Sequence, residues 1–170
     1  MKALSIMQPW PFLILRPDVT DEAEREKLRQ NQDMKDIENR DWRSDNPALK
    51  YRGEFLIHTG LNPDRKFDAD WCAETFGVSP PPDLPHGGIV GIAEIVDCVK
   101  ESESPWFFGR YGFVLRNARP LEFRPCVGQL GFFTPNYDLQ YKVKPPKKIK
   151  IPMIKDESEK PTFPLLEGVK

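Results

Sequence analysis

Three charged residues in one short segment could bind a polar ligand or take part in proton transfer. Lys35, Glu38 and Arg40 all lie in the run KDIENR. Alternate side chains of a β-strand share a face, so Glu38 and Arg40 are expected to lie close enough to form an ion pair. Lys35 comes at the start of this strand, where it could turn to either face. A cation can bind a phosphate, and a carboxylate can accept a hydrogen bond from the exocyclic amine of a base.

Two tryptophans lie near this triplet in the sequence and could stack on a base. Trp42 continues the alternation of Glu38 and Arg40, and Trp10 lies in the run QPW at residues 8–10. Stacking on an aromatic side chain contributes about 1–3 kcal/mol per base. The alternative is that the triplet is an ion-paired cluster that shapes the fold and that both tryptophans belong to the core, where most of the tryptophan surface is usually buried.

Other residues could extend such a binding surface. His58 lies near the end of an apolar run and could face the same cleft or hydrogen-bond to a backbone carbonyl. A basic path could begin at Arg40, Arg43, Lys50 and Arg52. The aromatic run at residues 104–111 is either a stacking platform or a plug at the bottom of a barrel, and the size of its side chains favours the plug.

The cysteines and histidines do not form a metal-binding pattern. Cys72, Cys98, Cys126, His58 and His86 are scattered, whereas a structural zinc site needs four nitrogen or sulfur ligands, usually in closely spaced pairs. We therefore expect no metal and no other cofactor. No serine or cysteine occupies a sharp turn beside a histidine, so the sequence offers no nucleophile of the elbow type.

The distribution of apolar residues predicts a cytoplasmic protein with no membrane partner. No apolar run approaches the roughly 20 residues that a membrane span needs, and the first residues lead directly into a strand rather than a cleavable leader. Scattered cysteines in odd number are typical of a reducing compartment. Nothing in the sequence specifies an oligomeric state.

The elements that must position these residues are short strands and two to three helices. Strands are predicted at residues 2–6, 35–42, 51–59, 89–99, 112–116 and 128–133. A short helix is predicted to begin at residues 8–11 and to end before Pro17, and residues 64–76 have helical character. Gly91, within the most apolar strand, indicates a bend or a close approach of another segment. Without a βαβ rhythm, this pattern predicts an α+β protein with a small, partly closed barrel of five to six strands.

Residues 1–134 are predicted to form one domain, with a charged insert at residues 17–33 and a proline- and lysine-rich arm at residues 135–170. The insert has few apolar residues, so we expect a solvated helix capped by Thr20 or Asp21, or a flexible loop. The net charge is −1, yet acidic residues dominate residues 18–38 and basic residues dominate residues 106–150. The basic C-terminal half could contact phosphate, and the alternative is an ordinary solvated surface.

The segment around the triplet resembles the signature of the ASCH domain family, G-x-K-x-x-E-x-R. From residue 33 it reads DMKDIENR, in which Lys35, Glu38 and Arg40 match and Asp33 replaces the glycine. Further pieces occur in the order found in the family: LSI with QPW, YRG, GIVG, SPWFFG and GQLGFF. The resemblance covers residues 2–133 apart from the insert.

This resemblance implies a PUA-like β-barrel with a cleft beside the first helix that binds RNA, a nucleotide or a nucleoside, with a role in RNA metabolism or translation. The residues expected to line that cleft are Gln8, Trp10, Lys35, Glu38, Arg40, Trp42, Arg52 and His58. The alternative is a hydrolase, because some relatives resemble enzymes that deacylate N4-acetylcytidine or cleave RNA. Lys35 and Glu38 would then be the acid–base or polarising groups. Deacylating relatives carry threonine where this chain has Glu38. A protein adaptor that uses the acidic insert is a third possibility.

Overall fold

The computed structural model describes residues 1–138, and within them three α-helices flank a six-stranded sheet. The strands are β1 (Ala3–Ile6), β2 (Ile37–Arg40), β3 (Gly53–Thr59), β4 (Gly88–Val99), β5 (Tyr111–Pro125) and β6 (Phe132–Phe133). The helices are α1 (Trp10–Leu15), α2 (Glu22–Gln30) and α3 (Ala69–Phe76), with a 3₁₀ helix at Pro47–Lys50. Most of the predicted C-terminal arm, residues 139–170, lies outside the described residues.

The strands form one curled sheet in the order β2-β5-β4-β3-β1-β6, in which only the β1–β3 pair is parallel. The curl brings β2 back towards β1, since Arg40 Nη2 donates to the Ser5 carbonyl at 2.9 Å. Aromatic rings of β5 and β6 also meet, with the centroids of Phe113 and Phe132 6.0 Å apart. The predicted α+β class and barrel-like sheet are confirmed, in the form of a half-barrel with three helices.

Helix α1 is buried on all sides against the sheet. All six of its residues are buried, with Pro11 in the first turn, where its missing N–H costs nothing. Gln8 completes the start of the helix, because its side-chain oxygen accepts from the Phe12 N–H. The predicted close approach at Gly91 is confirmed, since a Cβ there would lie 2.5 Å from the Leu15 side chain. The backbone N–H of Lys35 donates to the Leu13 carbonyl, which fixes the start of the charged segment beside α1.

The charged insert contains α2, which is attached to the domain by a buried arginine. Asp21 caps the helix by accepting from the Glu24 N–H at 2.8 Å, as predicted. Arg25 is 4% exposed, and its guanidinium donates to three carbonyls, those of Arg16, Val19 and Ala118. No helix within residues 1–138 is long and apolar enough to cross a membrane.

The last two predicted strands have different lengths from those expected. Strand β5 runs on to Pro125 rather than ending near residue 116, because shifts in its register with β4 accommodate Asn117, at φ 54°, and Pro120. Strand β6 is only Phe132–Phe133 instead of residues 128–133. Gly128 lies outside the strand and close to the Ser5 and His58 side chains, and Gly131 has φ 69°.

Candidate functional site

Lys35 is held in a single position, between a carboxylate and two aromatic rings. It is 3% exposed, and Nζ donates to the Ile37 carbonyl and lies 3.4 Å from Glu38 Oε2. The Trp10 and Phe108 ring centroids lie 5.4 Å and 5.8 Å from Nζ, within the range of cation–π attraction. The expectation that Lys35 could swing to either face of the strand is therefore wrong.

Glu38 and Arg40 form the predicted same-face pair, with Glu38 Oε1 3.1 Å from Arg40 Nη2. Glu38 is 5% exposed, so this carboxylate is shared between two cations away from bulk water. Arg40 Cζ lies 5.5 Å from the Trp42 centroid. The Nε N–H of Arg40 is buried and has no acceptor, and it is the one side-chain nitrogen or oxygen among the described residues in that condition.

The cluster carries two cations and one anion, and burial affects its protonation. Burial lowers the pKa of the Lys35 ammonium, while the neighbouring Glu38 carboxylate opposes the shift and Arg40 adds to it. A buried site that has more donors than acceptors favours a ligand that brings an acceptor or a negative charge. The geometry therefore fits recognition of a carbonyl-bearing or anionic group.

One aromatic side chain at this site is open to solvent. Phe108 is 43% exposed, and its ring centroid lies 5.7 Å from that of Trp10. Trp10 itself is buried, packs against Phe67 and Trp71, and donates to Asp64 Oδ2 at 3.3 Å. Phe108 is thus the aromatic face that a ligand could reach.

The loop that carries Phe108 is attached to β2 by Asn39. The Asn39 amide donates to the Trp106 carbonyl at 2.8 Å and accepts from the Phe108 N–H at 2.9 Å. Trp106 is fully buried, donates to the Gln32 carbonyl at 2.7 Å and stacks on Phe76. The run at residues 104–111 therefore combines an interior plug with one exposed ring, whereas the sequence presented these as alternatives.

The structure does not bring every predicted site residue to the cluster. Gln8 is buried and hydrogen-bonds to Phe12 and Pro85. Trp42 contacts the cluster only through Arg40, and its ring also packs against Phe113 and Phe132. Arg52 pairs with Asp97 at 3.2 Å, and no hydrogen bond or ion pair within residues 1–138 joins it to Lys35, Glu38 or Arg40.

His58 is fully buried and satisfied by its neighbours rather than open to a cleft. Its Nδ1 lies 3.0 Å from Ser5 Oγ, and its Nε2 lies 3.0 Å from the Cys126 carbonyl oxygen. Burial lowers the pKa of the imidazole, and the hydrogen bond to the Cys126 carbonyl opposes that shift. Of the two alternatives predicted for His58, the hydrogen bond to a backbone carbonyl is confirmed at Cys126, and the ring also contacts the Ser5 hydroxyl.

The basic side chains beyond the cluster are largely paired. Arg43 pairs with Asp45, Arg110 with Asp41 and Arg119 with Glu54. Arg124 stacks on Tyr137, with 3.4 Å between Cζ and the ring centroid. The lysines at residues 147–150 belong to the basic C-terminal half, for which phosphate contact and a solvated surface were the two alternatives, and they lie outside the described residues.

A groove of about 750 Å³ lies between α2 and β5 and reaches Lys35 and Asp36. Its α2 wall carries Arg29, which is already paired with Glu22 and Glu26. Within residues 1–138, no group of three or more histidine, cysteine, aspartate or glutamate side chains is arranged to hold a metal ion. The cluster of Lys35, Glu38 and Arg40 with Phe108 is therefore the strongest candidate site.

Neither a protein-family model nor a curated protein matches the chain.

Proposed function

We propose that this chain is an ASCH-type, PUA-like domain that binds one nucleoside, free or as an unpaired nucleotide of RNA, at Lys35, Glu38 and Arg40. The observation that carries the proposal is the buried Arg40 Nε, a charged donor without an acceptor in a cluster that already has an excess cation. Leaving such a donor unpaired costs about 1–3 kcal/mol or more. A ligand oxygen that accepts from Nε removes that cost on binding.

The burial of the cluster favours a ligand the size of a single nucleoside. Lys35 and Glu38 are 3% and 5% exposed, so a long strand lying on the surface would not reach them. An RNA would have to turn one unpaired base into the site, which is how most sequence-specific RNA recognition occurs. The base would stack on the exposed ring of Phe108, and Glu38 would accept from its exocyclic amine.

The proposal is tested by titrating the protein with cytidine, N4-acetylcytidine and a short single-stranded RNA, using calorimetry at two salt concentrations. We expect binding that weakens roughly tenfold in Arg40→Lys, which keeps the charge but removes the Nε donor. Arg43→Ala is the matched control, because Arg43 lies on the same segment and is exposed and paired with Asp45. An RNA whose phosphates contribute will bind less tightly as salt rises. Absence of binding to all three ligands, or equal binding by Arg40→Lys, would overturn the proposal.

A second function, hydrolysis of an acylated nucleoside, is favoured by the environment of Lys35. Burial lowers the pKa of this ammonium, which brings it closer to the range useful for proton transfer, and Glu38 lies 3.4 Å away. Glu38 stands where deacylating relatives carry threonine. In this function its carboxylate would orient a water molecule. Chromatography of N4-acetylcytidine after incubation should then show cytidine, and Lys35→Met should abolish its formation. Unchanged N4-acetylcytidine would reject the hydrolase and leave the binding proposal intact.

A further inference from the structure

Ser5 and His58 lie side by side on the parallel strands β1 and β3. They are direct register partners, and the Ser5 hydroxyl oxygen lies 3.0 Å from His58 Nδ1. Their relative position is therefore set by backbone pairing and does not depend on long, flexible side chains. A hydroxyl within hydrogen-bond distance of an imidazole is the arrangement by which serine nucleophiles are activated.

The second ring nitrogen of His58 determines which way the Ser5 hydrogen bond points. Nε2 lies 3.0 Å from the carbonyl oxygen of Cys126, which can only accept, so Nε2 carries the ring proton. Nδ1 then carries a lone pair, and the Ser5 hydroxyl donates a hydrogen bond to it. Because burial lowers the pKa of the imidazole, His58 is neutral near pH 7 and able to take up a proton.

Ser5 is the more exposed residue of the pair. His58 is fully buried, whereas Ser5 is half-buried. Gly128 closes over both side chains so tightly that a Cβ there would lie 2.4 Å from His58 Cε1 and 2.7 Å from Ser5 Oγ. Arg40 reaches the same residue, since Nη2 donates to the Ser5 carbonyl while Nε has no acceptor.

We propose that Ser5 is a nucleophile, activated by His58, that accepts small acyl groups. The Ser5 oxygen attacks the acyl carbonyl carbon and its proton passes to Nδ1. The bond from that carbon to the leaving amine or alcohol then breaks, and the leaving group takes the proton from Nδ1. Water next attacks the acyl-serine after giving a proton to Nδ1, and Ser5 leaves with that proton. The assignment of the substrate as an acylated nucleoside rests on the proposed function, since Arg40 of that site contacts the Ser5 backbone carbonyl.

The test is covalent labelling of the full chain with a fluorophosphonate, which bonds to serine through phosphorus and releases fluoride. Mass spectrometry of the digested protein should locate the adduct on Ser5. Ser5→Ala should remove it, and His58→Gln should slow labelling by about a hundredfold, the usual contribution of a general base. Ser104→Ala is the control, because the Ser104 hydroxyl donates to Asp36 and contacts no histidine. Labelling without nucleoside binding would contradict only the proposed function, and nucleoside binding without labelling would contradict only this inference.

A second variant keeps the test decisive if His58→Gln does not fold. Ser5→Cys introduces a thiol at the same distance from His58, and its reaction with iodoacetamide is compared with that of the native Cys98, whose pKa is raised by burial. We expect the thiol at residue 5 to react at least roughly tenfold faster, because the adjacent base increases its thiolate fraction. A rate equal to that of Cys98, together with an unlabelled Ser5, would overturn the proposal.

Discussion

Arg25 and Arg40 are both arginines whose guanidinium groups lie largely away from water, yet their environments differ in one respect. Arg25 donates to three backbone carbonyls and attaches α2 to the domain. Arg40 pairs with Glu38 and one carbonyl, and its Nε N–H has no acceptor. A satisfied guanidinium stabilises the fold, whereas an unsatisfied one beside a surplus cation is poised for a ligand. The two residues should therefore respond differently to the same substitutions.

The largest effect is expected from removing the anion on which Arg40 depends. Glu38→Gln leaves Lys35 and Arg40 as buried cations without a carboxylate, which should lower the free energy of unfolding by about 3–5 kcal/mol. Urea denaturation of the variant and the wild type measures the difference. Glu26→Gln on α2 is the matched control, because Glu26 is exposed and solvent screens its pair with Arg29, so its loss should be much smaller. Equal losses of unfolding free energy in both variants would show that solvent screens the charges of the cluster as well as those of the exposed pair.

The same Glu38→Gln variant should recover stability as pH rises. Glu38 raises the pKa of Lys35 against the effect of burial, so its removal leaves that pKa further below the ordinary value of 10.5. Between this lowered folded-state pKa and 10.5 the unfolded chain binds more protons than the folded one, so stability increases with pH in that window. A loss that does not diminish between pH 7 and pH 10 would contradict the assignment of Lys35 as a buried cation.

The next largest effect is expected at Arg25. Arg25→Met removes the donors to the Arg16, Val19 and Ala118 carbonyls and should cost about 2–3 kcal/mol of unfolding free energy. Thermal and urea unfolding measure this loss, and nucleoside binding should stay within about twofold of wild type because Arg25 makes no contact with the cluster. Arg29→Met, which removes a half-buried arginine that pairs with Glu22 on the same helix, serves as the control. Loss of nucleoside binding in Arg25→Met would mean that α2 belongs to the ligand site.

The same substitution, arginine to lysine, should have different effects at Arg25 and Arg40. Arg25→Lys should destabilise by about 1–2 kcal/mol, because an ammonium cannot reach carbonyls that a planar fork spans. Arg40→Lys should destabilise by about 1 kcal/mol or less, since Glu38 still faces a cation, while nucleoside affinity falls. Parallel unfolding and calorimetry on the two variants check this. A larger stability loss at Arg40 than at Arg25 would reverse the assignment of structural and ligand-binding roles.

Local spacing predicted part of this arrangement, and tertiary contacts determined the rest. The two-residue period of β2 was enough to predict the Glu38–Arg40 pair. The position of Asp21 before α2 was enough to predict the helix cap. The contacts by which Arg25 attaches α2 could not be predicted, because one of them is to Ala118, which is 93 residues away along the chain. Lys35 proved fixed rather than mobile because α1 and Phe108 enclose it.

The contact of Ser5 with His58 could not be predicted from spacing either. It requires that β1 and β3 pair in parallel with this particular register, which no local pattern around Ser5 or His58 specifies. A sign was present in the sequence: Ser5 interrupts the apolar run of β1, and His58 ends the apolar run at residues 55–57 of β3. A buried polar residue needs a partner, so two such interruptions in neighbouring strands are a reason to search for a contact between them.

The smallest predicted effect concerns His58, which is linked to Arg40 through Ser5 but makes no contact with Arg25. The folded-state pKa of His58 is lowered from 6.5 by burial, so the unfolded chain binds a proton more readily. Stability should therefore fall as pH drops below about 6.5 and level off once the folded histidine also protonates. Unfolding at pH 7.5 and pH 5.5 measures this decrease, which should be smaller in His58→Gln. A decrease of equal size in the variant would assign the acid sensitivity to other groups, and Arg25→Met should retain the full pH dependence of the wild type.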